Sequence, residues 1–200
     1  MGGTMTAEPV QQYGHWPLPP LDGYTVDDLF TLHGLPPHTE LLDGSLIFVS
    51  PQREFHTVVM DLLVTGLRCT APEDLRVRRE MTVVLDDRNA PEPDVSVLRA
   101  AGAGTDRTRY KAEDVVLAVE VVSPESESRD RTTKPYKYAS AGIPNYWRVE
   151  RGGSGGGPVV HVYELDPLTR SYVHMGMHRD QIKVTVPYDI EIDLTAFDRI

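Results

Sequence analysis

Apolar and polar positions along the chain switch between a helical period of roughly 3.6 residues and a strand period of 2, and the switches predict the elements. Val26, Leu29, Phe30 and His33 recur at helical spacing behind Thr25, a capping side chain with Asp28 placed to reciprocate, so a short helix is expected there, ended by Gly34. Residues 40–49 read as a hairpin, with Asp43-Gly44 between two apolar runs. Phe55, Val58, Val59, Leu62, Leu63 and Leu67 form the longest helical stripe. Residues 75–85, 94–98 and 115–122 then read as strands. The last of these is apolar apart from Glu120, which suits a strand buried on both faces. Residues 130–141 turn helical, with Pro135 at or near the first turn and Gly142 and Pro144 beyond the end. Residues 145–150, 159–165, 171–174 and 182–186 complete the expected strands.

The run Gly152-Gly153-Ser154-Gly155-Gly156-Gly157 has the glycines of a phosphate loop but neither the Lys-Ser/Thr nor the helix that should follow, and reads as a flexible hairpin connection. Residues 1–20, rich in Pro, Gly and Gln, are expected to be a flexible lead-in, and residues 21–200 a single domain. The fold class is α+β with a mixed central sheet.

Charge sharpens this picture. The 200 residues hold 20 Lys and Arg against 30 Asp and Glu, for a net charge of −10. Residues 1–75 carry −8, residues 76–150 sum to 0, and residues 151–200 carry −2. A wholly basic, unselective nucleic-acid coat is excluded, and whatever basic surface exists lies in the middle third. The single cysteine, Cys69, expected in or near the core, cannot form an internal disulfide. No signal-peptide pattern and no stretch of roughly 20 apolar residues occurs, so a cytoplasmic protein away from membranes is expected.

Three acids fall where the pattern predicts strands or strand edges: Glu40, Asp94 and Glu120. A carboxylate inside the most apolar run needs a partner, a proton or a metal. If the strands of Asp94 and Glu120 are neighbours, both can converge on one Mg²⁺ (or Mn²⁺), which takes one or two protein carboxylates and completes its shell with water and phosphate. Lys134 is the candidate cation for stabilising a reacting phosphate.

Glu40-Leu41-Leu42-Asp43-Gly44, Ser50-Pro51, His56, Pro93-Asp94-Val95-Ser96-Val97, Glu120-Val121-Val122-Ser123-Pro124, Asp130, Lys134, Tyr138, Gly142-Ile143 and Tyr146-Trp147 occur in that order. The ordered set resembles the Uma-two restriction-endonuclease family of the PD-(D/E)XK nuclease superfamily, from about residue 21 to the C-terminus. The resemblance implies a restriction-endonuclease-like mixed β-sheet flanked by helices, and Mg²⁺-dependent hydrolysis of DNA phosphodiester bonds. It makes Pro93-Asp94 the PD element, Glu120 the acid of the (D/E)XK element and Glu40 the early acid. It places His56 near the site, with Tyr138 one turn beyond Lys134 on the same helix face. Asp94, Glu120 and Glu40 would be the metal ligands. The chain departs from the superfamily pattern at Val122, which stands where the motif lysine belongs; Lys134, on the following helix, takes that place.

Each residue also has a plainer reading. Asp94 can be a turn residue after Pro93, Glu40 an exposed strand end, Lys134 a helix-start cation pairing with Asp130, and His56 an ordinary histidine. Glu120 is harder to dismiss, because a buried structural glutamate requires a basic partner. His174 and His178 are separated by Met175-Gly176-Met177, which argues against a helical zinc pair, and Ser123 has no Asp-His company for nucleophilic catalysis. Arg76, Arg78, Arg107, Arg109, Arg129 and Arg131 are the candidates for nucleic-acid phosphates, or else a solvated charged face. The leading expectation is a metal-dependent endodeoxyribonuclease, for which analogy of fold offers a homodimer. The rivals are a catalytically inactive nuclease-fold binding or assembly module, and a metal-dependent hydrolase of smaller phosphoesters.

Overall fold

Thr25 closes the first helix as its sequence predicts. In α1 (Val26–Thr31) the Thr25 side chain accepts from the Asp28 backbone N–H while the Asp28 carboxylate accepts from Thr25, a complete capping box. The computed structural model describes residues 18–153 and 156–199, so nearly all of the expected lead-in lies outside the described residues. Strands β1 (Glu40–Leu42) and β2 (Ser45–Ile47) form the hairpin, ending sooner than expected. Asp43 and Gly44 both take positive φ, 50° and 74°, the conformation a two-residue hairpin turn requires.

Helix α2 (Glu54–Thr70) buries Val59, Met60, Leu63 and Leu67 on one stripe. Its Gly66 permits close approach to the C-terminal region, since a Cβ there would lie 2.6 Å from Ile192 Cγ1. The strand expected over residues 75–85 is two strands, β3 (Leu75–Arg79) and β4 (Thr82–Val84), broken at Glu80, whose φ is 49°. They join different sheets. Next come β5 (Val95–Arg99), the short β6 (Arg109–Lys111), which the sequence pattern did not reveal, and β7 (Val115–Val121), buried at every position.

The segment expected to be helical contains one π-helical turn, Arg129–Thr133, and continues as α3 (Lys134–Ser140), with Pro135 just after the π-turn, inside a run of helical backbone where it offers no N–H. The chain ends with β8 (Asn145–Arg151), β9 (Pro158–Asp166), β10 (Ser171–His178), β11 (Gln181–Val184) and β12 (Ile190–Asp193). The glycine run joins β8 to β9, antiparallel neighbours, as a hairpin connection should; residues 154–155 within it are not described.

The central sheet has the order β10-β9-β8-β7-β5-β3 and is mixed, because β7 and β8 run parallel while every other pair is antiparallel. The link between β7 and β8 carries the π-turn and α3, as a parallel crossover requires. Alternation splits the side chains between two layers. Leu117, Val119, Val121, Trp147, Val149, Val160 and Val162 pack with α2 and the β11–β12 pair. Ala118 and Tyr146 point the other way, into a second cluster with Tyr138 of α3 and Ile143. Glu120 follows the parity of Ala118 and therefore faces α3. Cys69, expected to be in or near the core, is exposed at the end of α2. Among the described residues no helix is long and apolar enough to cross a membrane.

Candidate active site

The site is assembled where four pieces of backbone meet: β1, the segment leading into β5, the end of β7, and the π-turn with the start of α3. Leu41 and Ala90 exchange backbone hydrogen bonds of 3.1 and 2.8 Å, fastening the hairpin to the segment before Asp94. The Glu92 N–H then donates to Glu40 Oε1 at 2.8 Å, which fixes that carboxylate. The β5–β7 register pairs Val95 with Val119, so one further step places Asp94 across from Glu120. Asp94 Oδ2 accepts the Val121 N–H at 2.6 Å, closing the end of that ladder with a side chain.

Lys134 stands at the centre, 4% exposed. Its Nζ lies 2.8 Å from Glu40 Oε1 and 2.9 Å from Glu120 Oε2, with Asp130 Oδ1 at 3.6 Å. Tyr138, one turn further along α3, donates its hydroxyl to the other Glu120 oxygen at 2.5 Å. His56 on α2 donates Nε2–H to Asp94 Oδ1 at 2.8 Å. Glu40, His56, Asp94, Glu120 and Lys134 all line one cavity of about 320 Å³. Tyr138 lies behind Glu120, fully buried.

The electrostatics follow from too many acids in too dry a place. Burial pushes the Glu120 carboxyl well above its ordinary range; Lys134 opposes this, and Asp130, Asp94 and Glu40 add to it. Burial alone would lower Lys134, but Glu120, Glu40, Asp130 and Asp94 outweigh it and raise the ammonium well above its usual value. Lys134 is therefore charged at any physiological pH. Burial also raises Asp130, against the pull of Lys134. For His56, burial lowers the pKa, but the bond to Asp94 and that carboxylate's charge more than compensate, and the net direction is upward.

The donor set suits a hard divalent cation in its chemistry. Four carboxylates, Glu40, Asp94, Glu120 and Asp130, surround one lysine, and the buried Asp130 Oδ1 accepts no hydrogen bond. The described residues contain no ready-made cage of three or more metal-binding side chains. A cation held by Asp94 and Glu120, with water and substrate oxygens completing its shell, fits this arrangement.

Asp130, which the sequence places in the ordered motif set and four residues before Lys134 without giving it a role at the site, lies buried among the carboxylates, its Oδ1 3.6 Å from Lys134 Nζ. Of the six candidate arginines, Arg129 and Arg131 line the cavity, while Arg76, Arg78, Arg107 and Arg109 are not among its lining residues. Arg76 and Arg78 lie on β3 at the far edge of the sheet, bonding carbonyls of their own segment. Arg109 sits 4.3 Å from the Phe30 ring centre. Arg53 and Arg151, not singled out from sequence, stand at the cavity instead.

Against known proteins, the chain matches the family Uma2, described as "Putative restriction endonuclease", over residues 26–195. Among solved structures it resembles the crystal structure of a putative nuclease belonging to DUF820 from Anabaena variabilis ATCC 29413. That likeness has a TM-score of 0.65 at 17% identity and covers 82% of this chain and 89% of the other. No curated protein matches. The shared architecture is the mixed sheet with flanking helices.

Proposed function

The chain belongs to the Uma2 family of restriction-endonuclease-like proteins, and on that premise we propose that it is a Mg²⁺-dependent endonuclease hydrolysing DNA phosphodiester bonds. The observation carrying this reading is the buried Lys134 spanning Glu40 and Glu120 at 2.8 and 2.9 Å, in the cavity that Asp94 also lines.

Asp94 and Glu120 would hold the cation, with Glu40 assisting. When bound, Mg²⁺ supplies Lewis acidity toward the phosphate and favours deprotonation of an attacking water. The protein groups do the rest. Lys134 Nζ carries three N–H donors, of which Glu40 and Glu120 take two. The third is free to meet a non-bridging phosphate oxygen as negative charge grows there. His56 orients Asp94, and Tyr138 fixes the rotamer of Glu120. Glu40 holds Lys134 in place, which supports the reading that a lysine from α3 serves where the motif position holds Val122.

Plasmid cleavage in Mg²⁺ tests this, comparing the unaltered chain with Asp94→Asn, Glu120→Gln and Lys134→Ala. Loss of cleavage in all three is expected; activity surviving all three overturns the assignment. A second reading, hydrolysis of a smaller phosphoester, draws on the confined cavity and on the absence of Arg76 and Arg78 from its lining. Mononucleotides outcompeting duplex DNA would favour it.

A further inference from the structure

The charged residues lining the cavity are accounted for with one exception. Arg53 pairs with Glu125 at 3.2 Å, Arg131 with Glu127 and Glu150 at 2.7 and 2.9 Å, and Lys134 with Glu40 and Glu120. Arg151 lies 5.0 Å from the Phe55 ring centre. Arg129 also lines the cavity, yet no carboxylate pairs with it among the described residues, and its Nε is buried without a hydrogen-bond partner.

An arginine cannot shed its proton to escape such a position, so its guanidinium remains charged and partly desolvated. A buried donor left unpaired costs free energy. The usual resolution is an acceptor that arrives with the ligand. The backbone that presents Arg129 is itself unusual. It opens the π-helical turn Arg129–Thr133, and π-turns are enriched at functional positions. On that turn the next residue, Asp130, is 1% exposed and faces Lys134, so Arg129 and the carboxylate cluster open onto the same cavity.

We infer that Arg129 is the substrate-anchoring residue of this site, its guanidinium gripping a phosphate of the nucleic-acid strand beside the carboxylates. The inference rests on the nuclease reading and deepens it, by naming an arginine at the cavity that, among the described residues, has neither a carboxylate nor a ring partner. The planar fork of arginine suits two phosphate oxygens at once, which a lysine cannot match. Arg53 and Arg131 are held by protein carboxylates and contribute little to this grip.

The test is binding, measured by fluorescence anisotropy with a short labelled single-stranded oligodeoxynucleotide. Ca²⁺, another hard cation with oxygen ligands, stands in for Mg²⁺. Arg129→Gln is expected to weaken binding at least about tenfold and to reduce the slope of log affinity against log salt by about one. Arg129→Lys should recover only part of the loss, while Arg53→Gln and Arg131→Gln should stay within roughly threefold of the unaltered chain. Inorganic phosphate should displace the oligonucleotide from the unaltered chain and compete far less well against Arg129→Gln. Thermal unfolding of each variant verifies that it folds. Unchanged binding by a folded Arg129→Gln, equal losses in all three glutamine variants, or no binding by the unaltered chain would each overturn the inference. Plasmid cleavage is scored separately: an unaltered chain that binds through Arg129 but never cuts defeats the nuclease reading and leaves the anchor standing.

Discussion

Lys134 Nζ lies 2.8 Å from Glu40 Oε1, joining the first hairpin to the third helix through a buried charge. The two residues are far apart in the chain, and the contact exists because the segment before Asp94 ties the hairpin to the sheet end where α3 begins. With Glu120 on the other side of the same ammonium, one cation holds three elements together, and in the proposed mechanism it also meets the phosphate. On the proposed mechanism, structure and function share this residue, and its variants are read for both.

Removing Lys134 leaves Glu40 and Glu120, both about 3% exposed, without their counter-charge. Breaking a buried pair from one side costs roughly 3–5 kcal/mol. Lys134→Ala should lose about that much stability in urea unfolding. The double variant Glu40→Gln with Glu120→Gln, made in the Lys134→Ala background, should recover much of it. A single variant as stable as the unaltered chain contradicts a charge-paired core.

Tyr138 makes a separable contribution. Its hydroxyl serves Glu120 Oε1 and nothing else, so Tyr138→Phe keeps the packing with Tyr146 and Ile143 and strips one hydrogen bond. A buried carboxylate oxygen left unpaired costs roughly 1–3 kcal/mol. The expected result is that loss in denaturant unfolding, together with a lower rate at saturating substrate, because Glu120 is no longer held in one rotamer.

Metal dependence is checked by chelation. EDTA should abolish cleavage, and Mg²⁺ or Mn²⁺ should restore it. In calorimetric titration with Mn²⁺, Asp94→Asn and Glu120→Gln should weaken binding by more than the roughly 10–100-fold typical of supporting residues, whereas His56→Ala should fall within that range. Equal heats from all four proteins would remove the metal from these carboxylates.

Much of this was legible from the chain because period and chemistry agreed. The apolar run of β7 announced a strand buried on both faces, and the misfit of Glu120 within it pointed to the site. Glu40 before Asp-Gly, and Asp94 after Pro93, could be placed on strands that converge only because the order of motifs matched a family. What stayed hidden was set by tertiary contacts. The break at Glu80 depends on a left-handed residue with no glycine to mark it, and β6 has only three residues. By sequence alone Arg76 and Arg78 are candidates equal to Arg129, since sequence does not tell which arginines are already spent on neighbouring carbonyls and carboxylates. Asp130 was visible as a partner for Lys134, but its burial to 1% was not.

His161 lies in the same cross-strand row as Arg148 and Glu120, and its own titration offers a test. It sits across from Arg148 in the register, with its ring 5.6 Å from that of His174. Burial lowers its pKa from 6.5, Arg148, His174 and Arg131 lower it further, and Glu150 only partly opposes them. A histidine depressed in the folded state binds a proton later than it does in the unfolded chain. As pH falls below 6.5 the unfolded chain gains its proton first, so this residue's contribution is intact above 6.5 and is lost between there and its folded value. His56 and His38 shift upward and act in the opposite sense, so the measurement must be a difference. Stability of the unaltered chain minus that of His161→Gln, followed by urea unfolding across this range, should fall as pH drops below 6.5. Parallel curves would show that Arg148 and burial do not act on His161 as the register implies.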